Sequence, residues 1–228
     1  MYKYSLINNK EFPKNTTKEN LYNVFYSLFL IFIFIIISNG LSKLIINLIN
    51  LLFGTDRTLD DLTQNLLKIH EIPFILFVFV GPLIEEIIYR LYLSFKKIHI
   101  IISILFFEFY LFNETFIQFT LDYKSFIIFF ILSVITIITI TYFYKFLQIF
   151  LNKNNLLIYW ISIFLFGVSH IFNLENIEFK YFYLYILFIV PQIIMGYFIT
   201  NLRLKQGFFW GLLLHIIINT INALVNLI

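Results

Sequence analysis

Cysteine is absent from the 228 residues, which excludes disulfides, thiolate metal sites and a cysteine nucleophile. Alanine is nearly absent too: Ala223 stands alone, while Asn, Lys, Ile, Phe and Tyr are heavily used. That bias points to an AT-rich genome and a prokaryotic source. Charge is also scarce. Charged residues make up 13% of the chain and apolar ones 61%, against about 25% and about 45–50% in a soluble domain. With a mean hydropathy of +0.89, a single water-soluble domain of this length is excluded, because much of the apolar surface must face lipid. The net charge of +3 is small and the basic residues are scattered through short loops, so there is no stripe for nucleic acid and no nucleic-acid partner is expected.

What remains is apolar segments near the ~20 residues that a bilayer core requires. They predict an all-α polytopic transmembrane bundle of about seven spans, near 22–38, 73–95, 99–112, 125–149, 156–172, 181–200 and 207–226. Residues 1–21 form a polar N-terminal segment carrying Lys3, Lys10, Lys14 and Lys18, and 22–228 form the bundle. With no small-x-small cleavage site after it, the first span reads as a retained signal anchor. The third span is short. Residues 39–72 open with an apolar piece, Leu41 to Phe53, and continue into a polar, interfacial helix over Thr58–His70, with Asp60 and Asp61 in its first turn. An eighth span at 39–55 would reverse the orientation of everything after it.

Loop charges give the orientation. The N-terminus and the connections after the second, fourth and sixth spans carry Lys3, Lys10, Lys14, Lys18, Lys96, Lys97, Lys145, Lys153, Arg203 and Lys205 against Glu11 and Glu19. The alternate connections carry Lys43, Arg57, Lys68, Lys124 and Lys180 against Asp56, Asp60, Asp61, Glu71, Glu114, Asp122, Glu175 and Glu178. Lysine and arginine favour the cytoplasmic side. The expectation is an integral protein of a prokaryotic cytoplasmic membrane with its N-terminus inside.

Inside the apolar spans lie Glu85, Glu86, Arg90, Glu108, His170 and His215. Ionisable groups at that depth are costly unless paired or hydrated, which makes them functional candidates. Glu86 and Arg90 are spaced i, i+4 in the favourable order and are expected to pair. Glu85 points about 100° away and lacks a local partner. An unpaired buried carboxylate suits a general base or a metal ligand. Pro82, without an amide proton, suits the first turn of a helix broken or restarted there. Phe166 lies one turn before His170 and can pack on its ring; His215 and Asn219 share a helix face, with Thr220 alongside. Gly196, Gly207 and Gly211 are expected to permit close helix approach. Each feature has a plainer reading: a salt-bridged helix, an interfacial histidine bonded to a carbonyl, a polar seam that glues helices. Glu108 has no evident partner.

Two imidazoles and one or two carboxylates are the ingredients of a hydrolytic site. A water is activated by Glu85 and a histidine, or held by zinc on His and Glu ligands; Asn219 can donate to an oxyanion.

Taken in order, Glu85-Glu86-x-x-x-Arg90, Phe166-x-x-x-His170 and His215-x-x-x-Asn219 resemble the three motifs of the CPBP family, the Abi or type II CAAX prenyl endopeptidase-like intramembrane proteases. The resemblance covers about 75–225, and Gly196 to Asn219, with Arg203, Gly207 and Trp210, looks like the family's last two helices. Leu91 departs from the small residue that often follows the arginine. The resemblance implies an intramembrane endopeptidase acting on membrane-associated peptides or proteins, as in peptide maturation or bacteriocin immunity. It implies that Glu85 and His170 activate water and that His215 and Asn219 stabilise the oxyanion, with Glu86, Arg90 and Phe166 orienting them. It leaves open whether Zn2+ is bound, for which Glu85, His170 and His215 would be the ligands. A non-catalytic immunity or scaffold protein of the same fold is the alternative, and an intramembrane proton or ion pathway a third reading.

Overall fold

The computed structural model describes residues 16–55, 58, 73–112, 123–174 and 182–225. The expected interfacial helix at Thr58–His70, Thr58 apart, and most of the acidic loop residues lie outside them. Among the described residues the regular structure is all helical.

Helix α1, Thr17–Phe53, starts five residues earlier than the apolar pattern suggests because a capping box fixes its N-terminus. The Thr16 hydroxyl accepts from the Glu19 amide at 3.3 Å, and the Glu19 carboxylate accepts from the Thr16 amide at 2.8 Å. It ends at Gly54, whose φ of 63° is the left-handed conformation that closes many helices. Its 37 residues reach about 55 Å, well beyond a bilayer core of about 30 Å. No turn separates 22–38 from 41–53, so the apolar piece at 39–55 prolongs the first helix and does not cross back.

The expected second span is divided. A π-helical turn, Leu76–Val80, leads into α2, Gly81–Arg90, and then a 3-10 turn, Leu91–Ser94. Arg90 breaks the α-helical run with φ −134°. Helix α3, Lys97–Phe112, is followed by α4, Tyr123–Lys153, and α5, Asn155–Ser169, which tightens into a 3-10 turn at His170–Asn173. Helices α6, Phe182–Gln206, and α7, Phe208–Val225, complete the chain. Among the described residues, five segments are long and apolar enough to cross a membrane: α1, α4, Asn155–Asn173, α6 and α7. The stretch through α2 is broken, and α3 has 16 residues, about 24 Å.

Helix α6 is the hub, packed on α1, α5 and α7. Val24 and Leu202 share one core cluster, while Ile46 and Leu184 share another. So α1 and α6 run antiparallel over most of their lengths, and the start of α1 lies at the same end as the finish of α6. Helix α2 is held between α3, α5 and α7, with Ile84, Ile88 and Tyr89 against Phe166. Helix α4 packs chiefly on α3, and only 6% of its most apolar window is buried. Such an apolar, outward-facing helix matches a lipid environment, and the molecule has the build of an integral membrane protein.

Two glycines have distinct roles. A Cβ on Gly196 would lie 2.9 Å from Phe166 Cδ1 and 3.4 Å from the Ile163 carbonyl, so glycine lets α6 press on α5. Gly207 was expected to serve the same purpose, but nothing lies within 4 Å of its would-be Cβ. Its φ of 107°, which L side chains rarely adopt, makes the turn between α6 and α7.

Candidate active site

The polar side chains met singly along the sequence form one connected chain. Glu86, fully buried in α2, pairs with Arg90 one turn on, also fully buried. The same carboxylate oxygen, Oε1, lies 3.0 Å from His215 Nδ1 on α7. The other nitrogen, Nε2, lies 3.3 Å from Glu85 Oε2. Adjacent glutamates on one helix point in different directions, and His215 spans the gap between them. Only an imidazole protonated at both nitrogens donates to both oxygens. In that state Glu85, Glu86, Arg90 and His215 sum to zero charge, the condition under which buried ionic groups are tolerable.

Arg90 is fixed at a further point: its Nε donates to Thr200 Oγ1 of α6 at 2.9 Å, and Thr200 is fully buried. The guanidinium carbon stands 4.2 Å over the Phe166 ring. Phe166 is a plate shared by the whole site. His170 meets it edge-on with centroids 4.8 Å apart, His215 at 5.6 Å and Tyr89 at 5.9 Å. The two imidazoles are therefore no farther apart than the sum of their distances to that ring. The i, i+4 contact expected between Phe166 and His170 is present, together with three contacts that the spacing did not reveal.

The tautomer of His170 follows from its partner. Nδ1 is 2.8 Å from the Phe166 carbonyl, and a carbonyl only accepts, so Nδ1 carries the hydrogen. Nε2 is left with its lone pair. Glu85 is the partly exposed member of the set, with 24% of its side chain accessible against none for Glu86.

Asn219 is held by backbone chemistry. In the π-helical turn the Gly81 amide bonds the Leu76 carbonyl, five residues back. Continued by one residue, that register would pair the Phe77 carbonyl with residue 82, which is proline and has no N–H. The orphaned Phe77 carbonyl is taken by Asn219 Nδ2 at 3.1 Å. Pro82 thus marks a change of helix type, and Asn219 keeps a second N–H free.

Other hydroxyls and one guanidinium finish the far end of α2, where the break at Arg90 strands carbonyls. Ser103 donates to Ile87 at 2.8 Å, Ser162 to Tyr89 at 2.5 Å, and Arg203 Nη2 to Leu91 at 3.2 Å. Thr200, Ser162 and Arg203 were not legible as site residues. Arg203, read from sequence as a loop charge, is 5% exposed within α6. The spacing Gly196-x-x-x-Thr200-x-x-Arg203 along one face of α6 was the available signal. Glu108, without an evident partner in sequence, accepts from Thr136 on α4 and lies apart from the chain just described.

Zinc on Glu85, His170 and His215 meets an obstacle in this arrangement. With a carboxylate against each ring nitrogen, His215 would have to give one up to offer a metal a lone pair. Among the described residues no group of three or more His, Cys, Asp or Glu is placed to hold a metal ion.

No family model, no curated protein and no solved structure matches this chain. The functional reading therefore stands on the geometry and on the three-motif resemblance.

Proposed function

We propose that the chain is an intramembrane endopeptidase of the CPBP, or CAAX-protease-like, group, cleaving peptide bonds in membrane-associated peptides or proteins. One observation carries the reading: Glu85 is the accessible end of a buried chain of ionisable groups running through His215 and Glu86 to Arg90. A carboxylate so held, with a lone-pair nitrogen of His170 on the same aromatic plate, is suited to general-base work.

In the proposed reaction, Glu85 takes a proton from a water placed between it and His170 Nε2, and the water oxygen bonds the scissile carbonyl carbon. Protonation removes the charge on Glu85 and with it most of its hold on His215 Nε2–H. That donor and the free N–H of Asn219 then turn to the oxyanion, where losing one donor costs about 10²–10³ in rate. Glu85 returns its proton to the amine nitrogen as the C–N bond breaks. The residues perform these steps without a metal. The proposed topology has seven membrane segments, with the broken stretch through α2 and the short α3 as the second and third. Its N-terminus is cytoplasmic, in a prokaryotic plasma membrane.

The test is cleavage of candidate membrane peptides by purified wild type, Glu85→Ala and His170→Ala proteins, with and without a zinc chelator. Loss of cleavage in both variants, with normal membrane insertion and no effect of the chelator, supports the reading. Cleavage that survives both substitutions defeats the assigned roles. A cellular immunity phenotype that survives them favours a non-catalytic membrane scaffold.

A further inference from the structure

A second polar cluster lies at the end of the molecule where α1 begins and α6 finishes. Arg203 is buried there and, among the described residues, pairs with no carboxylate. One of its N–H groups serves the Leu91 carbonyl, while its Nε is buried without a partner among the described residues. One turn on, both amide atoms of Gln206 are buried and, among the described residues, unpartnered, as is Asn20 Oδ1 on α1. Asn20 lies one turn before Val24, and Gln206 one turn after Leu202. Val24 and Leu202 are in one cluster, so the two amides lie at the same level. The described acid at this end, Glu19, is engaged in the α1 cap.

The surroundings are cationic. Lys96 follows Phe95, a buried residue in the left-handed conformation at φ 55°, whose carbonyl accepts from Tyr144 at 3.0 Å. A bulky residue in that region is strained and persists only where its surroundings enforce it, so the turn that presents Lys96 is a built feature. Arg203 reaches the Leu91 carbonyl at 3.2 Å, and the 3-10 turn that Leu91 opens runs directly into Phe95 and Lys96, which brings Lys96 to the same end of the molecule. Helix α7 begins here as well. Its entry residue, Gly207, has no side chain to cap the first amides, and the Arg203 guanidinium carbon stands 5.7 Å from the Phe208 ring.

The unpartnered Nε of a buried guanidinium, both amide atoms of Gln206 and the amide oxygen of Asn20 are each unfavourable unless a ligand answers them. The vacant donors, Arg203 Nε and Gln206 Nε2, call for an anion with several acceptor oxygens. The vacant acceptors, Asn20 Oδ1 and Gln206 Oε1, call for hydroxyl groups on the same ligand. We infer that Arg203, Gln206, Asn20 and Lys96 bind a hydroxyl-bearing phosphate, supplied either by a lipid headgroup of the phosphatidylglycerol kind or by free hydrogen phosphate. This inference does not depend on the endopeptidase reading.

Native mass spectrometry of the full chain in detergent tests it, with dioleoyl phosphatidylglycerol and dioleoyl phosphatidylcholine as probes and inorganic phosphate as competitor. The expected result is one retained anionic lipid, with Lys96→Gln weakening binding about fivefold, the scale of one basic residue at an anionic surface. Gln206→Leu should weaken it as well, although it leaves the charge unchanged. Displacement of the lipid by millimolar phosphate assigns the site to free phosphate; insensitivity to phosphate assigns it to the lipid. Arg203→Gln should abolish retention, and if that variant fails to fold the other two decide. Equal retention of the two lipids without any phosphate binding, or wild-type retention by Gln206→Leu, overturns the site.

Discussion

Exchanging each of two neighbouring glutamates for glutamine should produce opposite phenotypes. Glu86 Oε1 is the shared acceptor for Arg90 and for His215 Nδ1, and all three groups are nearly or wholly buried. Glu86→Gln keeps the shape and deletes the charge, leaving Arg90 buried without its counter-ion and His215 with Glu85 alone. Breaking a buried pair in this way costs about 3–5 kcal/mol, a large part of the 5–15 kcal/mol that typically holds a protein folded. For a chain of this size, that corresponds to a fall in Tm of roughly 6–20 °C. Among the described residues Glu85 has a single charged contact, at 3.3 Å, and it keeps partial access to solvent. Glu85→Gln should cost about 1 kcal/mol at most and lower Tm by no more than about 4 °C, while abolishing cleavage. The assay is thermal unfolding in detergent beside peptide cleavage at a temperature where both variants are folded. Equal Tm losses, or a larger loss for Glu85→Gln, would refute the division of labour between them.

Thr200→Val removes the acceptor of Arg90 Nε at nearly constant volume, and should cost about 1.5–3 kcal/mol, the range for a hydrogen bond to a charged group; thermal unfolding reads it. Asn219→Leu strands the Phe77 carbonyl and should cost about 1–3 kcal/mol, whereas Pro82→Ala restores an N–H that this carbonyl can accept from. In the double variant the two effects should therefore fall short of their sum by about 0.5 kcal/mol or more, and strict additivity would disprove the link. Gly196→Ala drives a methyl against Phe166 Cδ1, so it should cost about 1–3 kcal/mol as overpacking and displace the plate under both histidines. Cleavage should fall more than unfolding alone explains, measured as turnover per folded molecule.

Relations confined to one helix were legible in the sequence. Spacing of four residues placed Glu86 beside Arg90 and Phe166 beside His170, and it separated Glu85 from Glu86, because the geometry of a helix is fixed by its backbone alone. Composition likewise determined that the chain is helical and membrane-embedded, since exposed apolar surface and backbone hydrogen bonding leave few other solutions in lipid. Where those helices end was less visible: α1 runs on through Ser38 to Ser42 without a turn, and nothing in the apolar pattern forbids it. The partners across helices needed the tertiary structure. His215 lies 129 residues from Glu86 and Thr200 lies 110 from Arg90, and no periodicity connects such positions. Arg203 reads as a loop cation and is buried, because the broken end of α2 offers it a carbonyl. Asn219 reads as an oxyanion donor and also mends a backbone defect created by Pro82 five residues beyond Phe77. The sequence by itself placed Glu85, Glu86, Arg90, His170, His215 and Asn219 in apolar helical stretches; packing of α2, α5, α6 and α7 decided which of them meet, because a side chain's partner there is set by how helices cross and not by how they are spelled.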